Sequence, residues 1–577
     1  MRIAPLCIPF ALLCVVLLAS GVRADTADIP RSRLHLPPAG IEDPRPPAEG
    51  ERLTPPEGEI VNPAEFCRAE AMIIYWTSWH SQELIDMCLA VADDDNVLCC
   101  VSSPSQQSQA YSMMNAAGVN MANIEFFDTV DGSVWIRDYG PFCIYDDGGL
   151  SITDMRYGGG TMDQIPIYIA QHYGLPWFQS NLIHHGGNHI TDGNGMGFFS
   201  TNITNHNSGW TIEQIRAEMQ AYLGLDSLVV FPTMQGDMTG HCDMFVKLLS
   251  DTLFVVGEYA SPGDAIGNDY YYLNQLAADL DAMQNLDGRD FEVVRLPMNP
   301  IESGSYNVNR TYTNSLILND KVLVPTYNTL LDAMALQIYE ESMPGYEIIG
   351  IDSEDVIEYL GAIHCISNTL HHVNPLMILH EPMVAAEPGT SPLMRCRLNP
   401  RFGDREVELH YQTVAATPRE FIPAVFEGGA WYAQMPPVYE DFEYWFVARA
   451  YTDAGVMETT LPEGAPDEVF FCEVRDIASV SSPILVARPL STWPNPCGPQ
   501  ATMGFALTRE AVVDLAIYNV AGRLQRRLLG GGTLPAGAHE FTWDGRDHAG
   551  RELPNGVYLV RFVSGGDVSI ERLLLLR

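Results

Sequence analysis

A histidine and an aspartate two residues apart are the first candidates for chemistry. They are His241 and Asp243, in the segment Thr239-Gly-His-Cys-Asp-Met-Phe245. If this segment is a strand, both side chains point to one face, and a base beside a carboxylate suits proton transfer. A buried structural histidine bonded to the aspartate is the competing interpretation. Metal binding is less favoured, because no third ligand lies nearby in the sequence.

A cysteine supplies a candidate nucleophile. The segment Leu360-Gly-Ala-Ile-His-Cys-Ile-Ser367 places Cys365 beside His364, after a turn of small residues. A lone cysteine in an apolar run is more often inert packing, although its thiolate would be a strong nucleophile. We interpret His371, His372 and His380 as surface or loop residues rather than metal ligands.

Two further segments carry polar groups beside glycines. Trp135-Ile-Arg-Asp-Tyr-Gly-Pro141 places Asp138 at the edge of a predicted strand, where a salt bridge to Arg137 or a turn cap is the alternative role. The segment 185–197, His-Gly-Gly-Asn-His-Ile-Thr-Asp-Gly-Asn-Gly-Met-Gly, indicates either a glycine-rich hairpin or close backbone approach to a ligand. It lacks the spacing and the following helix of a nucleotide-binding loop.

Together these segments offer a thiol, a base and two carboxylates. Two carboxylates are unfavourable around an acyl-transfer cysteine, which needs donors for a developing negative charge, so a cysteine peptidase is disfavoured. They suit a cationic electrophile. A guanidinium is planar and donates paired hydrogen bonds to carboxylates. The residue types therefore point to a guanidinium held near a thiolate.

The charge balance agrees with a cationic substrate. The 577 residues include 32 Lys+Arg and 73 Asp+Glu, for a net charge of −41. Such a chain repels nucleic acid and anionic lipid, so we expect no nucleic-acid partner. Apolar residues make up 46% and charged residues 18%, an ordinary globular composition with room for several domains.

The N-terminus predicts export. Residues 1–24 combine Arg2, an apolar run and a small-residue cleavage site, which is typical of a Sec signal peptide. No later segment is apolar for long enough to span a membrane. We therefore predict a secreted or cell-surface protein, in which disulfides can form. Cys396 and Cys472 are a candidate disulfide pair within one domain.

The elements that position the candidate residues change in type along the chain. Residues 25–62 form a Pro-rich leader. Residues 63–375 alternate buried strands with helices at 211–223, 270–285 and 330–342, and predict one α/β domain. Residues 376–477 alternate at period two and predict a β-sandwich. A linker at 478–494 precedes an all-β domain at 495–577, with strands at 501–507, 511–519, 538–543 and 557–563.

Several motifs in order carry a family resemblance. Residues 61–375 resemble the bacterial peptidylarginine deiminases of Porphyromonas type, which are related to agmatine deiminases within the pentein, or guanidine-modifying, superfamily. The resemblance implies an α/β propeller of five ββαβ units around a central site. The motifs are Asn62-Pro-Ala-Glu-Phe, Trp-Ile-Arg-Asp-Tyr-Gly-Pro, Gly-Gly-Asn…Asp-Gly-Asn-Gly, Gly-His-Cys-Asp, Tyr312-Thr-Asn-Ser, Val324-Pro-Thr-Tyr and Ile363-His-Cys-Ile.

The resemblance also assigns roles to residues. It implies that Cys365 is the nucleophile, that His241 is the general acid/base, and that Asp138 and Asp243 bind the guanidinium. It places Trp135 and Asn314 against the substrate. It implies no cofactor, and we expect the acidic loops Asp93-Asp-Asp and Asp146-Asp-Gly to be solvated turns rather than calcium sites. One departure is Leu360, where many members have a second glycine before the cysteine.

The implied function is hydrolysis of the guanidinium of peptidyl-arginine to citrulline and ammonia through a covalent cysteine thiouronium. Deimination of agmatine or free arginine is the alternative within the same chemistry. A secreted binding or adhesion protein with a dead catalytic domain is the alternative from another class. The sandwich resembles an immunoglobulin-like domain, and the tail resembles the FlgD-type Ig-like domain and secretion sorting tails. The tail therefore implies a secretion machinery or the cell surface as a partner.

One segment bears on which arginine is accepted. In the Porphyromonas-type enzyme, two arginines after an Asp-x-x-Tyr strand hold the free carboxylate of a C-terminal arginine. The aligned positions here are Gly159 and Thr161, within Asp154-Met-Arg-Tyr-Gly-Gly-Gly-Thr-Met-Asp-Gln-Ile-Pro166. We expect Arg156 to point away, and hence no strict demand for a C-terminal arginine. The alternative is that Arg156 or another basic loop residue substitutes.

Overall fold

The described residues of the computed structural model run from 54 to 575 with short gaps. The predicted signal peptide and most of the predicted leader lie outside them. Among the described residues, no helix has the length and apolar character needed to cross a membrane. The gaps are 159, 302–307, 344, 381–382, 384, 401–402, 414–418, 463–464, 467–468, 476–485, 494–497, 499, 508–510, 520–523, 536, 547–549, 555 and 565–566.

Five small sheets make up the α/β domain, and all five have the same core pattern. In each, an antiparallel strand pair is followed by a helical crossover and a parallel strand, which is the ββαβ unit. Strands buried on both faces are apolar throughout, as in Asn96–Val101. The five-unit prediction is confirmed for this domain.

The unit that closes the ring uses both ends of the domain. Its first strand, Asn368–His371, pairs antiparallel with Ala69–Tyr75, which lies about 300 residues earlier. Its remaining elements are the helices Ser81–Val91 and Pro104–Ala117, the 3₁₀ turn Met121–Asn123, and the strands Asn96–Val101 and Ile124–Asp128.

The other four units follow in chain order. The second contains the strands Ile60–Val61, Phe142–Asp146, Gly149–Arg156 and Trp177–Ile183, with the helices Ile136–Tyr139 and Ile165–Tyr173 and the turn Thr161–Gln164. The third contains Ile190–Thr191, Met196–Ser200 and Ser227–Phe231, with the turn Gly186–Asn188 and the helices Asn202–His206 and Ile212–Leu223. The fourth contains Val246–Leu248, Leu253–Glu258 and Glu292–Pro297, with the turns Cys242–Met244 and Pro262–Asp264 and the helix Asp269–Asp281. The fifth contains Leu316–Leu318, Lys321–Thr326 and Glu347–Asp352, with the helices Asp332–Ser342 and Glu354–Ile357.

Local sequence explains where a typical crossover helix begins and ends. Thr211 caps the helix Ile212–Leu223, and its side chain exchanges hydrogen bonds with Gln214 in a capping box. The helix ends at Gly224, whose φ of 64° is readily adopted only without a Cβ. The predicted boundaries at 211–223 agree closely with this helix.

The end of the predicted leader belongs to the fold. Ile60–Val61 pairs with Phe142–Asp146, and the side chain of Asn62 donates a hydrogen bond to the carbonyl oxygen of Cys143. The prediction of an unpacked leader up to residue 62 was therefore wrong for its last residues. Composition alone missed this strand because only two residues form the pairing.

The sandwich region consists of two sheets with a common apolar core. Cys396 and Cys472 lie in different sheets and are both free thiols in that core, so the proposed disulfide is not present. The first sheet contains Met377–Leu379, Leu393–Asn399, Val425–Glu427 and Ala430–Gln434. The second contains Ala385–Ala386, Asp404–Thr413, Glu420–Pro423, Phe442–Thr452, Gly455–Leu461 and Phe470–Val474.

The sandwich packs firmly on the α/β domain. Its buried apolar residues form one continuous cluster with those of the second and closing units. Arg397 makes a bidentate ion pair with the buried Asp251, at 2.9 and 3.1 Å, and Arg289 contacts the same carboxylate. The side chain of Asn399 donates a hydrogen bond to the carbonyl oxygen of Asp192.

The C-terminal β region has a hydrophobic cluster of its own. The strand Val486–Trp493 occupies part of the predicted linker, because it pairs with Ala501–Leu507; the linker prediction was wrong for these residues. One sheet contains Val486–Trp493, Ala501–Leu507 and Gly537–Trp543. The other contains Ala511–Asn519, Leu524–Leu534, Gly556–Ser564 and Asp567–Leu575.

Candidate active site

The candidate nucleophile is held by an asparagine 51 residues earlier in the chain. Cys365 is only 4% exposed, and its Sγ lies 3.3 Å from Nδ2 of Asn314. The Oδ1 atom of Asn314 accepts hydrogen bonds from the backbone nitrogens of Ala362 and Cys365, at 3.1 and 3.3 Å. Asn314 therefore fixes both the thiol and the loop that carries it.

The turn before the thiol is tight. Leu360 has a φ of 71°, in the left-handed region that is unfavourable for a branched side chain. A Cβ at the next residue, Gly361, would lie 2.5 Å from the ring of Trp135 and 2.9 Å from Cβ of Cys365. Only glycine fits there, and the ring of Trp135 borders the loop that carries Cys365.

Two carboxylates and a histidine meet around one glycine. The backbone nitrogen of Gly187 donates to Oδ1 of Asp138 at 3.3 Å. A Cβ at Gly187 would lie 2.6 Å from Nδ1 of His241, 2.9 Å from Oδ1 of Asp138 and 3.2 Å from Oδ2 of Asp243. The segment is a hairpin turn, as one interpretation predicted, and it also allows close approach of these groups.

Two local predictions of secondary structure were wrong. His241 and Asp243 were expected to share a face if their segment were a strand. The segment is not a strand, because Cys242–Met244 is a 3₁₀ turn. The two side chains nevertheless converge, since that turn aims both at Gly187. Likewise, Asp138 lies on the short helix Ile136–Tyr139 rather than at a strand edge.

Burial and the nearby negative charges favour the protonated forms of the Cys365 thiol and the Asp138 carboxyl group when no cation is bound. Burial raises the pKa of the Cys365 thiol well above its usual range, and the carboxylates of Asp243 and Asp138 raise it further. Burial also raises the pKa of Asp138, with a smaller contribution from Asp243. A cation placed between these groups would favour both the carboxylates and the thiolate.

Behind the carboxylates lies a chain of charged side chains. His364 contacts Oδ2 of Asp243 through Nδ1 at 2.8 Å, and Oε2 of Glu65 through Nε2 at 2.6 Å. Lys247 donates to Oε1 of Glu65 at 2.6 Å. Burial alone would raise the pKa of Glu65, but Lys247 and His364 outweigh burial and hold this pKa well below its usual value.

Arg137 supplies a second buried positive charge. Its Nε donates to the carbonyl oxygen of His364 at 3.2 Å, and its backbone nitrogen donates to the carbonyl oxygen of Cys365 at 3.3 Å. The alternative of a salt bridge between Arg137 and Asp138 is not what the structure shows, because Arg137 bonds the backbone of the nucleophile loop. Arg137 therefore holds the backbone of the loop that carries Cys365.

A second histidine contacts the candidate acid/base. Nδ1 of His185 lies 3.0 Å from Nε2 of His241, and Nδ1 of His241 lies 3.5 Å from Oδ1 of Asp138. Burial, together with the nearby His241, lowers the pKa of His185 to about 3, which favours the neutral imidazole. Metal binding at His241 was disfavoured because no third ligand lies nearby in the sequence, and folding brings His185, 56 residues away in the chain, close to His241 and Asp138.

The acidic loops considered for calcium have protein partners. Asp94 and Asp95 both contact Nζ of Lys321, at 2.6 and 3.0 Å. Asp146 and Asp147 accept hydrogen bonds from the backbone of residues 58 and 59. These contacts fit structural turns.

The geometry brings together all six residues singled out from the sequence. It adds Glu65, His364, Arg137 and His185, which sequence reasoning did not place in the site. Glu65 lies within the Asn62-Pro-Ala-Glu-Phe motif and His364 adjoins the nucleophile, so both carried a signal. The signal for His185 was its position directly before the Gly-Gly pair.

Known proteins share this arrangement of strands. A solved structure described as "putative agmatine deiminase" aligns with 56% of this chain and 98% of its own, with a TM-score of 0.51 and 19% identity. This likeness shows the fold: residues 60–371 form an α/β domain of the pentein type.

Sequence comparison identifies the family. Residues 61–370 match the family model of Porphyromonas-type peptidyl-arginine deiminases, and the chain belongs to that family. Residues 497–567 match the FlgD Ig-like domain. A "Putative agmatine deiminase" of Vibrio parahaemolyticus is 24% identical over 363 residues, 55% of this chain and 98% of the relative. The agmatine deiminase of Stutzerimonas stutzeri is 23% identical over 316 residues, 48% of this chain and 83% of the relative.

Proposed function

We propose that this protein is a deiminase that hydrolyses the guanidinium of arginine in peptides to a ureido group, releasing ammonia. The observation that carries the proposal is the convergence of Cys365 with Asp138, Asp243 and His241 in one buried site. Two carboxylates that raise the pKa of a thiol would hinder its attack on a neutral carbonyl, because they lower the fraction of thiolate. They fit a substrate that brings its own positive charge.

The proposed reaction has two halves. Asp138 and Asp243 bind the guanidinium, and its charge lowers the pKa of Cys365, so that the thiol proton passes to His241 and the thiolate attacks the guanidinium carbon. A carbon–sulfur bond forms, His241 gives that proton to the leaving nitrogen, and the carbon–nitrogen bond breaks to release ammonia. His241 then takes a proton from water, and the resulting hydroxide attacks the thiouronium carbon. The carbon–sulfur bond breaks, the hydroxyl proton of the product returns to the sulfur, and the neutral ureido product leaves. No cofactor takes part in these steps.

A direct assay tests this proposal. Purified protein is incubated separately with an arginine peptide, agmatine and arginine, and ureido product and ammonia are measured. Cys365→Ala should abolish turnover while retaining the fold. Cys99→Ala, which removes another fully buried thiol, is the matched control and should remain active. Full activity of Cys365→Ala would refute the mechanism.

Deimination of agmatine is the second candidate, favoured by the names of the relatives. The proposed preference for peptides rests on the resemblance to the Porphyromonas-type enzyme and on the predicted export. The ratio of kcat/KM for an arginine peptide and for agmatine decides between them. Binding of guanidines without turnover of any of them would instead support a catalytically dead binding protein.

We further propose that a C-terminal arginine is not required. The segment after Gly149–Arg156 offers Thr161 at one aligned position, and its hydroxyl donates to the carbonyl oxygen of Asp131. Gly159 lies outside the described residues. Paired peptides ending in a free acid or an amide test this point. A preference for the free acid of about a hundredfold or more would contradict it and would assign carboxylate binding to a basic residue such as the exposed Arg156.

Export completes the proposal. The composition of residues 1–24 supports a Sec signal peptide, and the tail resembles the FlgD-type Ig-like domains that often end secreted bacterial proteins. We propose that the mature protein acts outside the cytoplasm or at the cell surface. Cell fractionation of the full-length protein and of a form lacking residues 2–24 tests this, and equal cytoplasmic retention of both would refute it.

A further inference from the structure

Three side chains in the site are spaced like ligands of one metal ion. Asp138, His185 and His241 each offer a ligand atom, and these atoms lie within 4.8 Å of one another. Two imidazole nitrogens and one carboxylate oxygen are typical zinc ligands. Nδ1 of His185 lies 3.0 Å from Nε2 of His241.

The tautomer of His185 follows from its other contact. Nε2 of His185 lies 3.2 Å from the carbonyl oxygen of Tyr157, which can only accept a hydrogen bond. That nitrogen therefore carries the hydrogen, and Nδ1 carries a lone pair directed at His241. An ion between the two rings would use this lone pair without disturbing the contact to Tyr157, which would orient the ligand.

We propose that Asp138, His185 and His241 form a Zn²⁺ site that overlaps the guanidinium site, so that the ion is a reversible inhibitor. With metal–nitrogen distances of 2.0–2.1 Å, tetrahedral ligands are separated by about 3.3 Å. The two histidines need to move apart by only a few tenths of an ångström to reach that separation.

The overlap explains why the ion would inhibit. Asp138 is one of the two carboxylates assigned to the guanidinium, and His241 is the assigned acid/base. A metal ion bound to Asp138 and His241 would prevent Asp138 from binding the guanidinium and His241 from transferring a proton. Inhibition should therefore be competitive and relieved by a chelator. This inhibitory effect rests on the proposed function, whereas binding of the ion does not.

Binding is tested on the full-length protein without any activity assay. The chelator-treated protein is titrated with Co²⁺, whose visible d–d absorption reports nitrogen and oxygen ligands, and Zn²⁺ is then added to displace it. The expected stoichiometry is one ion per chain. His185→Ala should lower the affinity for both ions by more than the roughly 10–100-fold that is typical when a residue hydrogen-bonded to a metal ligand is lost.

Two variants keep the assignment falsifiable. His206, whose ring lies 4.7 Å from that of His185, is the matched control, and His206→Ala should bind normally. Cys365→Ser should also bind normally. Unchanged binding in His185→Ala, or loss of binding in either control, would overturn the three-residue site. His185-dependent binding in a protein that shows no deiminase activity would support the site and refute only the inhibition.

Discussion

Nδ1 of His364 lies 2.8 Å from Oδ2 of Asp243, so the residue directly before the candidate nucleophile Cys365 holds one of the two carboxylates. The same carboxylate oxygen lies 3.8 Å from Sγ of Cys365. The thiol, the carboxylate and the supporting imidazole are therefore in direct contact. Any change in this group should alter both guanidinium binding and the reactivity of the thiol.

The first prediction separates these two effects. Asp243→Asn should lower kcat/KM by orders of magnitude, because losing one partner of a buried charged pair costs roughly 3–5 kcal/mol. The same change should speed alkylation of Cys365 by iodoacetamide below the thiol pKa. The carboxylate raises that pKa, so its removal lowers the pKa and increases the thiolate fraction.

The measurement compares deimination with alkylation between pH 7 and 9, following Cys365 by peptide mass. Asp154→Asn is a control, because Asp154 is a buried aspartate whose side chain bonds Gln179 elsewhere in the domain. Slower alkylation in Asp243→Asn, or kinetics near those of the parent protein, would remove Asp243 from its assigned role.

The second prediction concerns Glu65 as a positioning residue. Glu65→Gln keeps the shape but removes the charge between Lys247 and His364, so kcat should fall with a smaller change in KM. Because the folded-state pKa of Glu65 is depressed, its stabilising contribution is present above pH about 4.5 and is lost as pH falls through the folded value.

Thermal unfolding measured from pH 7 down to pH 3 checks this. The parent protein should lose more stability on acidification than Glu65→Gln, so the two curves should converge. Parallel curves would show that the Glu65 carboxylate contributes nothing specific. A kcat unchanged in the variant would exclude a positioning role.

The third prediction concerns the left-handed residue before the thiol. Leu360→Gly should be more stable than Leu360→Ala, because a Cβ in this conformation costs roughly 1–2 kcal/mol. At ordinary positions the order is reversed, since glycine has more conformational freedom to lose. Chemical denaturation measures the difference in unfolding free energy between the two variants. Greater stability of Leu360→Ala would show that the backbone at residue 360 is not strained.

The fourth prediction distinguishes the two β regions. Removing residues 476–577 should leave deimination intact, because the C-terminal region has its own hydrophobic cluster. Removing residues 376–577 should destabilise or unfold the catalytic domain. That cut exposes the shared apolar cluster and leaves Asp251 without Arg397. Circular dichroism and activity of both truncations provide the measurement, and an intact shorter form would show that the shared core is dispensable.

Much of the fold was predictable because apolar runs and helix caps are local signals. The strands Asn96–Val101 and Ser227–Phe231 and the helix Ile212–Leu223 agree with the sequence patterns. The site was predictable residue by residue only through family motifs. The contact between Glu65 and His364 could not be predicted, because 299 residues separate them and local sequence patterns carry no information about such distant pairs. His185 was missed because its contact with His241 spans 56 residues and depends on the fold.

Ring closure has a consequence for the order of synthesis. Glu65 and Asn62 emerge from the ribosome at the start of the α/β domain, whereas Cys365 and the strand Asn368–His371, which pairs with Ala69–Tyr75, emerge at the end of that domain. At roughly 5–20 residues per second, the nascent domain exists for about 15–60 s without its thiol. The growing chain therefore cannot assemble the candidate site until the last strand of the α/β domain can join the first.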